Sequence, residues 1–387
     1  FFLSVCSSSV VGVTICFTKD KVLVRTTGMS AVVSFSASQY SSLLVGALAR
    51  AHGTRALLAS HHGPLATGLS PVAIFTSDVC VGHDPGWMHP EKPERLSGLL
   101  HAMRSQWVAE FGDSLQVLEP EINATEEQIL RVHTPRHLQM LRDAFSRAQR
   151  WPLPVNLDAD TAVSAGSESA ALRAAGLVVA AVDTVFSNDS SLRRAFVMAR
   201  PPGHHAEPER PMGFCLINNV MVGVAHAQAV HGVQRVAILD FDVHHGNGDA
   251  AMSLSEPLRM YASTHQSPCY PGTGTTKGRA GPHGQILSFP LQPGAGTTDF
   301  RQAWEELLPA VHEFAPEAIF ISSGFDGHSE DPLAALKLSE EDFDWLTVKI
   351  AKLGGGHLPI ISVLEGGYNV DALTRAARAH VNALIRA

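Results

Sequence analysis

Cysteine is scarce in this chain of 387 residues. The five thiols, Cys6, Cys16, Cys80, Cys215 and Cys269, are odd in number, widely spaced and without a C-x-x-C pair. Neither a disulfide framework nor a thiolate metal site fits that pattern. Charge is also sparse, at 17% of residues, and a formal net charge of −8 leaves no basic excess. Nucleic acid and anionic membranes select basic faces, so both are poor partners, and a basic ligand suits the chain better. The apolar stretch from Phe1 to Phe17 is short and broken by serines, unlike a membrane span. Asp and Glu are missing altogether from Lys21 to Ser77, where Ser, Ala, Thr and the cations Arg25, Arg50 and Arg55 recur. That is the composition of an organellar presequence. Residues 1–71 are therefore read as a disordered extension that targets a mitochondrion or plastid, with cytoplasm or nucleus as the alternative. Translation from Met29 is a further possibility at that end. Residues 72–387 are read as one ordered domain without a repeat or a linker.

Hydrophobic residues are plentiful, at 45%, enough to bury a sizeable core. Histidine is plentiful too, with twenty residues, several of them clustered. The decisive cluster follows Val236-Ala-Ile-Leu239, a continuously apolar run that reads as a parallel strand buried on both faces. Its carboxyl end carries Asp240, Asp242 and His244, and ligands of open α/β sheets sit beyond such ends. The pleat places these three on one side and Phe241 and Val243 on the other. Two oxygens and an imidazole nitrogen suit a divalent transition metal, provided a further protein ligand arrives from elsewhere and a position stays open for water.

Apolar runs alternate with helical patterns along the rest of the domain. Strands are expected near Val72, Ala195, Arg259, Ile286, Ala318 and Pro359, with helices at Thr125–Val132, Pro135–Ala148 and Ser167–Phe186. Such alternation predicts a mainly parallel sheet with helices on both faces. Several strand ends are polar. Arg200-Pro-Pro-Gly-His-His205 holds a histidine pair in a turn suited to proton transfer. Asp326 ends Ser322-Ser-Gly-Phe-Asp326, and Tyr368 ends Glu365-Gly-Gly-Tyr368. His83 and His89 lie in a Pro-rich loop with no completing ligand and read as loop or rim residues.

R-P-P-G-H-H, G-F-C-L-I-N-N, D-x-D-x-H-H-G-N-G, S-x-G-F-D and E-G-G-Y occur in one order from Arg200 to Tyr368. In that order they resemble the histone deacetylase family of zinc amidohydrolases, which includes acetylpolyamine amidohydrolases. The resemblance implies a three-layer α/β/α arginase-deacetylase fold on a central eight-stranded, mainly parallel sheet. It implies one zinc ion per chain on Asp242, His244 and Asp326, with His205 as general base and acid and His204 as its electrostatic partner. Asp240 and Asn247 match the residues that bond the two histidines, Asn being the class II form, and Tyr368 matches the oxyanion donor. Phe214 and Tyr270 match the two tunnel aromatics, and Gly213 the acceptor for the substrate amide. Potassium is implied beside the zinc, on backbone oxygens of Asp240, Asp242, His244 and Thr264 and the Ser263 hydroxyl.

The implied reaction is hydrolysis of acetylated amines, most directly acetyl-lysine in proteins. Polyamine-selective relatives carry an acidic residue where this chain has Leu333, although Glu330 and Asp331 lie nearby. A small acetylated amine is the second reading. A catalytically silent scaffold or corepressor subunit is the alternative from another class. The oligomeric state is not readable from the sequence.

Overall fold

The computed structural model describes residues 70–387, together with the strands Val13–Thr18, Lys21–Thr26 and Met29–Val33. The chain divides into two units, 1–65 and 66–387. In the first unit the three strands form an antiparallel sheet in sequence order. The remainder of the segment read as a targeting extension lies outside the described residues.

Beside a short antiparallel hairpin, Val155–Asn156 with Ala162–Val163, the second unit is built on nine strands: β1 (Val72–Thr76), β2 (Leu115–Leu118), β3 (Arg194–Met198), β4 (Val236–Asp240), β5 (Arg259–Gln266), β6 (Gly278–Ala280), β7 (Ile286–Leu291), β8 (Ala318–Ser323) and β9 (Ile360–Leu364). They form one sheet in the order β6-β7-β5-β4-β8-β9-β3-β1-β2. Every pairing is parallel except β6 with β7 at one edge. The sheet thus has one strand more than the eight expected, and the extra one is the exposed antiparallel β6.

The pleat explains the three layers. Phe320, Ile361 and Ala195 are cross-strand partners and share one face, so Phe196, next along β3, lies on the other. On the first face a Cβ at Gly223 of the helix Asn219–His231 would sit 3.0 Å from the Phe320 ring. On the second, the Phe196 ring lies 5.3 Å from His380 of the helix Val370–Arg386. The helix Ser167–Phe186 joins the first layer, and Glu94–Ala102, Thr297–Phe314 and Glu340–Ala351 accompany Val370–Arg386. All five residues of β1, β3, β4 and β9 are buried, which is why these strands read as mainly apolar runs. Register also aligns polar residues at the carboxyl ends. Ser263, Asp240 and Ser322 stand side by side on adjacent strands.

Candidate active site

Four central strands, β3, β4, β8 and β9, send their following loops to one place. Strand β4 stops at Asp240, so Asp242 and His244 stand on the loop beyond it, while Phe241 and Val243 turn into the core. Asp326 comes from the loop after β8. Ligand atoms of Asp242, His244 and Asp326 all lie within 4.8 Å of one another, and all three residues are buried. His244 Nδ1 is 3.1 Å from Asp242 Oδ1 and 3.1 Å from Asp326 Oδ2. Backbone amides hold the carboxylates in place: Gly366 donates to Asp242 Oδ2 at 2.8 Å, His244 to Asp242 Oδ1 at 2.9 Å, and Val243 to Asp326 Oδ1 at 2.9 Å. Glycine is required in this cradle. A Cβ at Gly366 would fall 2.0 Å from Asp326 Oδ2, and one at Gly324 would collide with Asp242.

Burial and the adjacent Asp242 carboxylate push Asp326 up to about 7. Burial also opposes charge on Asp242, but His204 and His244 outweigh it and hold this carboxyl low. For His244 burial disfavours the cation, yet the two carboxylates win and raise the imidazole well above its ordinary value. Two buried oxygens and a nitrogen around one point, already sharing protons, are a donor set that fits a divalent transition metal.

The paired histidines follow β3. Asn247 turns its amide nitrogen to Glu207 Oε1 at 2.7 Å and its Oδ1 to His205 Nδ1 at 2.8 Å. An amide oxygen only accepts, so His205 carries its proton on Nδ1, and Nε2 is left unprotonated. Burial, then the neighbouring His204 and His244, hold His205 well below its ordinary value. His204 behaves oppositely. Its Nδ1 donates to Asp240 Oδ2 at 3.2 Å, and Asp242 and Asp240 together outweigh burial and raise it well above the usual range. Asp240 also accepts from the Tyr261 hydroxyl at 2.8 Å and from the Asp242 amide at 3.1 Å.

Among the described residues a second donor group converges, Asp183 with His226 and His231. Hydrogen bonds account for it. Arg131 Nη1 donates to His226 Nδ1 at 3.0 Å, which leaves the His226 proton on Nε2, 2.8 Å from Asp183 Oδ1. His231 Nε2 lies 2.8 Å from the same oxygen.

The histone deacetylase domain model matches residues 89–384. A chloroplastic protein of Oryza sativa named histone deacetylase 10 is 35% identical, with 78% of this chain and 70% of that protein aligned. The histone deacetylase-like amidohydrolase of Pseudomonas aeruginosa is 34% identical over 77% of this chain and 81% of that one. Among solved structures, the HDA15 HD domain superposes with a TM-score of 0.74 at 30% identity, covering 81% of this chain and 88% of that one. The chain belongs to the histone deacetylase family.

In this histone deacetylase family member Tyr368, Gly213, Tyr270 and Phe214 border the cluster and its histidines. Burial, with the Asp326 and Asp242 carboxylates, raises the Tyr368 phenol well above its ordinary value, although Arg95 works against it. The phenol is therefore a neutral donor. Gly213 adopts φ +57°, and a Cβ there would meet His205 Cδ2 at 2.5 Å and Tyr270 at 2.9 Å. Tyr270 stands perpendicular to His205, with ring centroids 5.1 Å apart. Phe214 borders Tyr368 at 5.7 Å and His89 at 4.6 Å. Leu333 is partly exposed, and its amide donates to Asp331. Ser263 and Thr264 are buried on β5 behind Asp240.

His89 is a rim residue, as its loop suggested, but His83 is buried and bonds Ser167 at 2.7 Å. What the Pro-rich loop contributes was not visible from its sequence. Glu91 is fully buried between Arg200 and Arg95, at 2.5 and 2.9 Å. Burial opposes its charge, but these cations hold it down at about 2. Arg95 reaches on to the carbonyls of Gly367 at 2.6 Å and Glu365 at 2.5 Å, and its guanidinium lies 4.8 Å over the Tyr368 ring. Asp331 accepts from the Tyr368 amide at 2.7 Å on the other side. The signal for these positions is two acids and an arginine in an otherwise loop-like stretch, Glu91 to Arg95.

Proposed function

We propose that the chain is a zinc-dependent amidohydrolase that removes acetyl groups from lysine side chains. The observation that carries this reading is the neutral, Nδ1-protonated His205 beside the buried Asp242, His244 and Asp326 donors. Zinc on those three donors would supply Lewis acidity to the acetyl carbonyl and to the attacking water. His205 Nε2 takes the proton from water as its oxygen bonds the carbonyl carbon. The Tyr368 phenol donates a hydrogen bond to the oxyanion that forms. As the carbon–nitrogen bond breaks, His205 returns the proton to the amine nitrogen, giving acetate and a free amine. His204, held charged by Asp242 and Asp240, adds to burial in keeping His205 neutral until the water gives up its proton.

Potassium belongs to the same reading. His265 Nε2 donates to the Gly274 carbonyl at 2.8 Å, so its Nδ1 accepts from Ser263 Oγ at 2.9 Å and leaves the hydroxyl lone pairs available to a cation.

Acetyl-lysine is favoured over polyamines because the acids near Leu333 are already engaged. Glu330 pairs with Arg375 at 2.6 Å, and Asp331 accepts two backbone amides. Phe214 and Tyr270 would flank the methylene stem, and the Gly213 carbonyl would take the substrate amide. The acid-free stretch from Lys21 to Ser77 and the chloroplastic relative support delivery to a plastid. A fluorescent fusion of residues 1–71 that remained cytosolic would count against it.

The test is acetate release by the zinc-loaded protein from matched acetyl-lysine peptides and acetylated polyamines. His205→Ala is expected to lower kcat by roughly 10²–10⁴-fold, and Tyr368→Phe by about 10²–10³-fold. Release from polyamines alone would overturn the substrate assignment, and release from neither panel would favour the scaffold reading.

A further inference from the structure

Two loops beside the reaction site carry large apolar side chains into solvent. Trp87 is 90% and Met88 74% exposed on one; Trp151 and Leu153 are each 62% exposed on the other. The loops touch, since a Cβ at Gly86 would lie 3.9 Å from Pro154 Cγ. Each is also tied to the wall of the site. His89, two residues from Trp87 and so within about 7 Å of it along the chain, packs its ring edge-on to Phe214 at 4.6 Å. Its Nε2 bonds the Asp160 carbonyl at 2.9 Å, in the turn of the short hairpin Val155–Asn156 and Ala162–Val163 that follows the second loop. Thr161 Oγ1, next along, accepts from the Phe214 amide at 3.1 Å. Ring packing and hydrogen bonds thus tie the first loop, and the hairpin that follows the second, to the residue that borders Tyr368, and the apolar tips stand outside it.

Four large apolar groups in adjoining loops form a patch of the kind that marks an interaction site. A single acetylated amine would fill the reaction site without reaching these tips. An extended polypeptide advances about 3.3 Å per residue, so residues one to three positions from an acetyl-lysine seated in the site do reach them.

We propose that Trp87, Met88, Trp151 and Leu153 form a subsite for an apolar or aromatic side chain flanking the acetyl-lysine of a polypeptide substrate. The proposal rests on the deacetylase reading and narrows it to polypeptides with an apolar flank. The patch is continuous with the rim of the reaction site, and that continuity favours substrate over a second copy of the chain or a lipid surface.

Fluorescence anisotropy of labelled acetyl-lysine peptides with zinc-loaded full-length protein tests this without requiring turnover. One peptide carries Leu or Phe within three residues of the acetyl-lysine, and a matched peptide carries Gly there. The first is expected to bind at least tenfold more tightly, and the preference should vanish in Trp87→Ser/Met88→Ser and in Trp151→Ser/Leu153→Ser. Both double variants should hydrolyse the single-residue substrate acetyl-lysine amide within twofold of the parent. Equal affinity for the two peptides, or a preference that survives both double variants, would overturn the subsite. So would a dimer in gel filtration that the substitutions convert to monomer, because the patch would then be an interface between copies. If the parent releases no acetate from acetyl-lysine amide, the deacetylase reading fails, whichever way the anisotropy comparison comes out.

Discussion

His205 shows how one neighbour sets a proton's place. Because Asn247 presents an uncharged oxygen, it fixes the tautomer and favours the imidazolium too little to offset burial, His204 and His244, so His205 stays well below its ordinary value. Replacing that amide by a carboxylate keeps the acceptor and adds the charge. A negative partner favours the protonated ring, so in Asn247→Asp the pKa of His205 rises. His205 must be neutral to accept a proton, and the acid limb of kcat/KM should therefore move to higher pH by about one unit or more. A pH profile superimposable on the parent's would show that His205 does not govern that limb.

At the scale of elements, the strands that carry the site were the legible ones. Val236–Asp240 and Ile360–Leu364 are buried on both faces, so their composition betrays them, and their polar ends mark where the loops begin chemistry. The edges were not legible. Leu115–Leu118 is only partly buried and Gly278–Ala280 fully exposed, so neither carries a continuous apolar signal. Likewise, nothing in Glu91-Lys-Pro-Glu-Arg95 says that its helix meets the loop after β9, because that contact joins residues some 270 apart. Yet this helix start supports Tyr368, through an anion placed between two buried guanidiniums. Glu91→Gln leaves both cations without their counter-charge, and a loss of about 3–5 kcal/mol is expected. Urea unfolding checks it; a change below about 1 kcal/mol would mean that Arg95 and Arg200 find other partners.

For the whole molecule, the donors do more than mark a reaction centre. Asp242 follows β4 and Asp326 follows β8, while the loop after β9 donates Gly366 to Asp242. An ion bound there would join the outgoing loops of strands that are neighbours in the sheet. It would bind only the folded arrangement, because the unfolded chain scatters residues 242 and 326. Free metal at a hundred times its dissociation constant would therefore stabilise the protein by about 2.7 kcal/mol. Protons compete for the same atoms. Asp326 is pushed up to about 7 and His244 well above its ordinary value, so below neutrality the ion must displace protons to bind. The stabilisation should accordingly be larger at about pH 8 than at about pH 6. Thermal unfolding with zinc and with a chelator, at both pH values, measures it. A difference between zinc-loaded and chelated protein that failed to shrink at the lower pH would place the ion elsewhere, as would one that survived Asp326→Ala.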